Sequence, residues 1–416
     1  MKTRKFIFSH AAVFAAGAAL ALVSYAPLNK QLGANGDGAA RTDSSSGGGA
    51  GSGGDERTTA PRERRDAKSS KLHANEPPIK RMAGIVNLAD PLERQAALLE
   101  LLGRLGPNDF AAVAEQYRNM DHFGDSRGEF DLILRSWAKA DPLSALAYTE
   151  KQSSGGRDSS TILASWAGRD APAAERWALD HQPAEGANPY LAAVVRGIAA
   201  TDIGHASELT QAMPAGHERG YAVDSITRAL FMQGTDAAMA FPASIPDPAL
   251  RAGFVASVAD RLAAKDPALA ANWLATSTDA ESQARAARSV AQALAQDDPT
   301  SATQWLQKLQ PTAQAEAARG IIPVMSSADI AKTASWASTL VGIPGYDKVV
   351  EEFVWSCDNR APEQSAAWIQ AVSDPEQRRH LYYSMLGEWA KRDAAAVKTW
   401  VTSNSVPPDV LRRFTR

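Results

Sequence analysis

Gly124-Asp125-Ser126-Arg127-Gly128 has the G-x-S-x-G spacing of a nucleophile elbow, with His122 nearby. That motif presents its serine at a strand-to-helix turn in an α/β sheet. No alternating β-branched run precedes it here, so a polar turn between two helices is the reading. His181, His205 and His217 are the next candidates, since histidine is a common metal ligand. They have no i, i+4 pairing and no cysteine near them. Asp297-Asp298 and Glu351-Glu352 are paired carboxylates of the kind glycosidases use. The first pair is better placed to cap a helix, and the second reads as a solvated helix face. Cys357, the one cysteine, cannot form an intramolecular disulfide and sits where neighbouring copies of a repeat carry a bulky apolar residue. No acid, base and nucleophile set emerges. No catalytic, cofactor-binding or metal-ligating residue is therefore assigned, and the expectation is a non-enzymatic chain.

Ten tryptophans remain, and their spacing identifies the elements. Asp266-Pro267-Ala268-Leu269-Ala270-Ala271-Asn272-Trp273 and Asp298-Pro299-Thr300-Ser301-Ala302-Thr303-Gln304-Trp305 share one frame: Asp, Ala four residues on, Trp seven on. A large apolar residue, Leu262 or Leu294, stands four residues before the Asp. Along the chain the first position falls at Asp109, Asp141, Asp170, Asp202, Asp236, Asp266, Asp298, Asp329, Ala361 and Asp393. The steps are 32, 29, 32, 34, 30, 32, 31, 32 and 32, a period that means a stacked array. Nine tryptophans occupy two slots of the frame and Trp355 is the exception, so they read as core rather than as a ligand cage.

Each position has a physical reason. The Asp carboxylate accepts the orphan N–H groups of a helix start and suits its positive end. Proline follows at the first helical position, where the missing N–H costs nothing. The small residue and the Trp then share one helix face. A loop and a second helix complete the unit, and stacking buries the faces that neither helix can bury alone. Asp90-Pro91 begins a capping helix at one end, and Asp409–Arg416 is too short for a full second helix at the other. The pattern predicts an all-α fold, a right-handed αα-superhelix of about ten two-helix repeats over residues 82–416.

This unit resembles the tetratricopeptide repeat at Asp266, Pro267, Ala270 and Trp273, and again at Asp298, Pro299, Ala302 and Trp305. The period is shorter, and the family's Leu-Gly pair and Tyr are absent. The resemblance implies protein or peptide binding on a concave face formed by the first helix of each unit.

The rest of the chain sets the compartment. Lys2, Arg4 and Lys5 precede an apolar run from Phe6 to Leu28. A cleavable signal peptide and an uncleaved membrane anchor both fit residues 1–30. Either predicts an exported domain, on the periplasmic or cell-surface side. Residues 31–81 read as a disordered linker, rich in Gly and Ser and then charged. Net charge is −3, with +3 on residues 1–54 and +3 on 55–81, which leaves −9 on 82–416. That excess argues against nucleic acid and fits a basic peptide or other cationic partner. The leading expectation is a scaffold that binds a protein or peptide. The alternatives are a cell-wall-associated module that binds peptidoglycan, and an enzyme with a site on the concave face.

Overall fold

The computed structural model describes residues 76–120, 126–152, 155–183, 187–276 and 279–415. The segment expected to target a membrane and most of the expected linker lie outside them. Among the described residues the chain is all-helical: 22 α-helices and no strand. No described helix is long and apolar enough to cross a membrane. The odd-numbered helices are α1 (Pro78–Val86), α3 (Phe110–Arg118), α5 (Pro142–Glu150), α7 (Ala171–Asp180), α9 (Ile203–Ala212), α11 (Thr235–Ala240), α13 (Pro267–Thr276), α15 (Pro299–Leu306), α17 (Ile330–Ser338), α19 (Pro362–Trp368) and α21 (Ala394–Ser403). The even-numbered helices are α2 (Pro91–Leu102), α4 (Ser126–Ala140), α6 (Gly155–Ala167), α8 (Pro189–Ile198), α10 (His217–Gln233), α12 (Pro248–Ala263), α14 (Ala280–Asp297), α16 (Pro311–Ala328), α18 (Tyr346–Cys357), α20 (Pro375–Arg392) and α22 (Pro408–Thr415).

The expected aspartates start most odd helices. The carboxylates of Asp141, Asp170, Asp202, Asp266, Asp298, Asp329 and Asp393 each accept a backbone N–H from the first turn of the helix that follows. Three frame positions behave differently. Asp109 ends a short 3-10 turn and accepts the Gly106 N–H instead. Ala361 has no side chain to cap with. Asp236 lies inside the first turn of α11, because the chain turns at Gly234 with φ +140°, a conformation suited to glycine. The even helices carry a second set of caps that the tryptophan frame does not show: Asp90, Asn188, Asp247, Asp279 and Asp374. Helix α2, expected as a capping helix, packs on α1, the first helix among the described residues.

Each odd helix packs on the even helix that follows it, and from α5 onward also on the even helix before it. Each even helix also packs on the next even helix, most extensively from α12 to α16 and between α6 and α8. Among odd helices only α1 and α3 pack together to a similar extent. Glycine sets the approach of two even pairs. A Cβ at Gly197 in α8 would overlap the Ala164 carbonyl of α6, and one at Gly320 in α16 would overlap the Arg288 carbonyl of α14. Arginines tie successive even helices at their C-terminal ends, where unpaired carbonyls carry partial negative charge. Arg169 donates to Lys139 O at 2.6 Å, Arg360 to Ser326 O and Ser327 O, and Arg392 to Asp358 O at 2.9 Å. All three stand one residue before a frame position.

The tryptophans divide into two groups. Trp137, Trp177, Trp305, Trp389 and Trp400 are buried, and the Trp305 indole N–H donates to Ala271 O at 2.8 Å. Trp166, Trp273, Trp336 and Trp368 are half-buried, packed against the core rather than inside it. Two stability measurements follow. Trp305→Ala is expected to cost about 3–5 kcal/mol by urea unfolding, and Trp273→Ala distinctly less; equal costs would erase the distinction. Gly320→Leu is expected to cost at least about 1–3 kcal/mol, because the backbone of α14 leaves the new side chain no room. A neutral result would show that the two helices do not touch there.

Candidate functional site

The even helices leave one face open. Its residues recur at helical spacing: Arg127, Asp131, Arg135 and Lys139 on α4; Ser160 and Ala164 on α6; Arg196 on α8; Tyr221, Asp224 and Arg228 on α10; Asp260 on α12; Arg288 on α14; Glu316 and Arg319 on α16; Lys348, Glu352 and Trp355 on α18. Arg135, Ala164, Arg196, Asp260 and Trp355 all lie six residues before a frame position, so they share one phase of the array.

Side chains on this face reach across whole helices. Arg288 on α14 donates to both carboxylate oxygens of Glu352 on α18, at 3.1 and 3.0 Å, passing over α16. Arg319 joins them from α16 at 3.3 Å and also meets Glu316 at 2.9 Å, while Lys348 reaches Glu316 at 2.9 Å. Burial pushes the Glu316 carboxyl up, but Lys348 and Arg319 outweigh it and hold the group below its ordinary value. Glu352 was expected on a solvated face and is instead the hub of this network; nothing in its local sequence shows partners 33 and 64 residues away.

A second network links α10, α12 and α14. Asp224 receives Arg228 and Arg261, both at 2.5 Å, and these outweigh burial to hold its carboxyl low. Asp260 accepts the Ser289 hydroxyl, yet burial raises its carboxyl. Asp260 and Arg196 are open to solvent, while surrounding protein is the leading cause of both their shifts.

The open face is most basic over α4 to α10. Arg196 extends over α6 and donates to Ser160 O at 2.6 Å. Its guanidinium is pulled down by burial first, then by the charges of Arg135 and Arg228, with Asp131 opposing. Nearby Asp131 and Asp158 are engaged by Arg127, and Asp224 by its two arginines. Arg135, Lys139 and Arg196 have no ion pair among the described residues. Guanidinium groups stay protonated, so this stretch keeps a local positive charge on a domain whose sum is negative.

Apart from Glu352, the described residues that invited catalytic or metal readings take no part in these networks. His122 and residues 124–125 are outside the described residues; Ser126 opens α4 within an all-helical surrounding. His181 bonds to Trp177 O at 2.8 Å and stacks on that indole, with centroids 4.0 Å apart. His205 meets Glu175 at 2.9 Å, and His217 is exposed at the start of α10. The described residues contain no group of His, Cys, Asp or Glu arranged to hold a metal ion. Asp298 caps α15, as its pairing with Asp297 suggested. Cys357 is fully buried and burial pushes its thiol up, away from a reactive thiolate.

Comparison with protein-family models, curated proteins and solved structures finds no match.

A pH test probes Asp260. A carboxyl whose pKa rises on folding contributes stability at low pH that is lost as pH climbs through the carboxylate range. Asp260→Asn is therefore expected to raise stability at pH 7 and to change it little at pH 3, measured by thermal unfolding. A destabilisation that is larger at pH 7 than at pH 3 would reverse the assignment.

Proposed function

We propose that this chain is a non-enzymatic, exported or membrane-anchored scaffold that holds a protein or peptide segment along the open face of its even helices. The reading treats residues 78–415 as a tetratricopeptide-like αα-superhelix. Nearest-neighbour packing of the helix pairs supports it, because each unit buries its faces only against adjacent ones. The family resemblance would put the binding groove on the first, odd helix of each unit. The packing favours the even helices instead: a stacked array curves toward the layer whose members approach most closely. The reach from Arg288 to Glu352 across an intervening helix agrees with that curvature.

The observation that carries the reading is the basic stretch over α4 to α10, where Arg135, Lys139 and Arg196 have no ion pair among the described residues. Such a surface suits an acidic segment, the opposite of the partner suggested by the net charge of −9. Complementary charge steers association and fixes orientation.

Trp355 favours a second reading. It is 40% exposed on the same face, beside Glu352 and Lys348. An exposed indole is what a glycan-binding module in the cell wall would use.

Photo-crosslinking from position 160 of the full chain, in the cells that make it, tests both. A crosslinked protein is expected, and Arg135→Glu with Arg196→Glu should weaken its binding by about tenfold or more. Charge reversal at Lys332 on an odd helix should leave it unchanged. If only wall fragments are captured, and Trp355→Ala releases them, the scaffold reading gives way to the glycan one.

A further inference from the structure

The even-helix caps belong to a longer motif. Leu88-Ala89-Asp90-Pro91-Leu92-Glu93-Arg94, Ile245-Pro246-Asp247-Pro248-Ala249-Leu250-Arg251 and Val372-Ser373-Asp374-Pro375-Glu376-Gln377-Arg378 share an apolar residue, Asp-Pro and an Arg four after the Asp. In each copy the Arg Nη1 donates to the apolar residue's carbonyl, at 2.8, 2.9 and 3.0 Å. This bond leaves the Nε edge pointing toward the next even helix.

Two of the copies fill that edge with a carboxylate from the chain itself. Arg94 Nε meets Glu129 of α4, which also accepts the Tyr117 hydroxyl at 2.8 Å; all three side chains are buried. Arg251 Nε meets Asp279, the cap of α14, at 3.0 Å. The third copy differs. Pro407 precedes α22 where Asp279 precedes α14, and the nearby Asp409 carboxylate is taken by Tyr383 at 2.6 Å. Arg378 has no carboxylate within ion-pair distance among the described residues, although the charge of Asp347 is near enough to sense it.

Arg378 instead lines a pocket of about 280 Å³ with Gln370, Tyr382, Ser405 and Pro407. The Tyr382 side chain is 1% exposed, and its hydroxyl has no partner at hydrogen-bonding geometry. Burial pushes that hydroxyl up to about 12, with Arg378 and the Gln370 amide opposing, so it remains a donor at neutral pH. The Gln370 amide donates to Ser405 O at 3.5 Å, a long bond.

We infer that the pocket between α19, α20 and α22 binds a carboxylate, held by the Arg378 guanidinium, the Tyr382 hydroxyl and the Gln370 amide, in the place that Glu129 and Asp279 fill in the other two copies. Charge-assisted bonds from a guanidinium to a carboxylate are among the strongest available to a small pocket. The buried Tyr382 hydroxyl gains the acceptor it lacks. The inference does not depend on the scaffold reading, because the site lies at the N-terminal ends of the even helices and not on their open face.

Calorimetric titration of the full chain with N-acetylglutamate amide tests it. Saturable binding is expected, at least about tenfold tighter than that of N-acetylglutamine amide, its neutral isostere. Arg378→Gln and Tyr382→Phe should each remove it. A Gly/Ser decapeptide bearing one glutamate separates the sources: tighter binding than the small acid assigns a peptide side chain, and equal binding a free acid. Pro407→Asp should supply the carboxylate internally, raise the melting temperature and abolish titration. Absence of saturable binding up to millimolar concentration, binding that survives Arg378→Gln, or a lower melting temperature for Pro407→Asp would each overturn the inference.

Discussion

The close contact between successive even helices governs the rest of this structure. At Gly197 and Gly320 a Cβ would overlap the backbone of the neighbouring even helix, so the absent side chain permits the approach there. The odd helices are then left to wedge between pairs of even ones. That division explains why the bulky residues of the repeat lie where they do. Trp305 and Trp400 fill the wider space beside an odd helix, whereas the even-to-even seam is lined by alanine, glycine and serine. It also explains why residues on the open face interact over long sequence distances. Helices held this close carry their side chains within reach of the second neighbour, as Arg288 and Glu352 demonstrate.

Stacking parallel helices at short range has an electrostatic consequence. Their aligned dipoles place like partial charges side by side at both ends. The sequence answers with opposite charge at each end. Aspartates sit at the N-termini of both helix sets, and Arg169, Arg360 and Arg392 donate to carbonyls at the C-termini of preceding even helices. These bonds join one unit to the unit before it, so they add to the coupling between neighbours as well as to the stability of each helix.

The all-helical fold and the odd-helix caps were legible because their signals are local. An aspartate before a helix, a proline after it and a tryptophan two turns on lie within eight residues. The even-helix caps were equally local at Asp247-Pro248 and Asp374-Pro375, with Arg251 and Arg378 as a repeated companion. They escape notice because the tryptophan frame sets the eye to the wrong phase. The basic cluster was not legible at all. Arg135 and Arg196 occupy a position where other copies carry Ala164, Asp260, Gln292, Pro323 or Trp355. Their proximity depends on how α4, α6, α8 and α10 stack, and no single segment records that.

Net charge and the open face point to partners of opposite sign. Many of the aspartates behind the sum of −9 cap helix starts, where their carboxylates accept backbone N–H bonds. Asp141 and Asp298 are held below the usual carboxylate range chiefly by the hydroxyls of Ser144 and Ser301 and by such N–H bonds. A charge whose field ends in its own helix says little about what approaches from outside. The charges left without a local counterpart over α4 to α10 are arginine and lysine. If the proposed scaffold reading holds, the unpaired residues of one face, rather than the composition of the chain, set the sign of what it would hold.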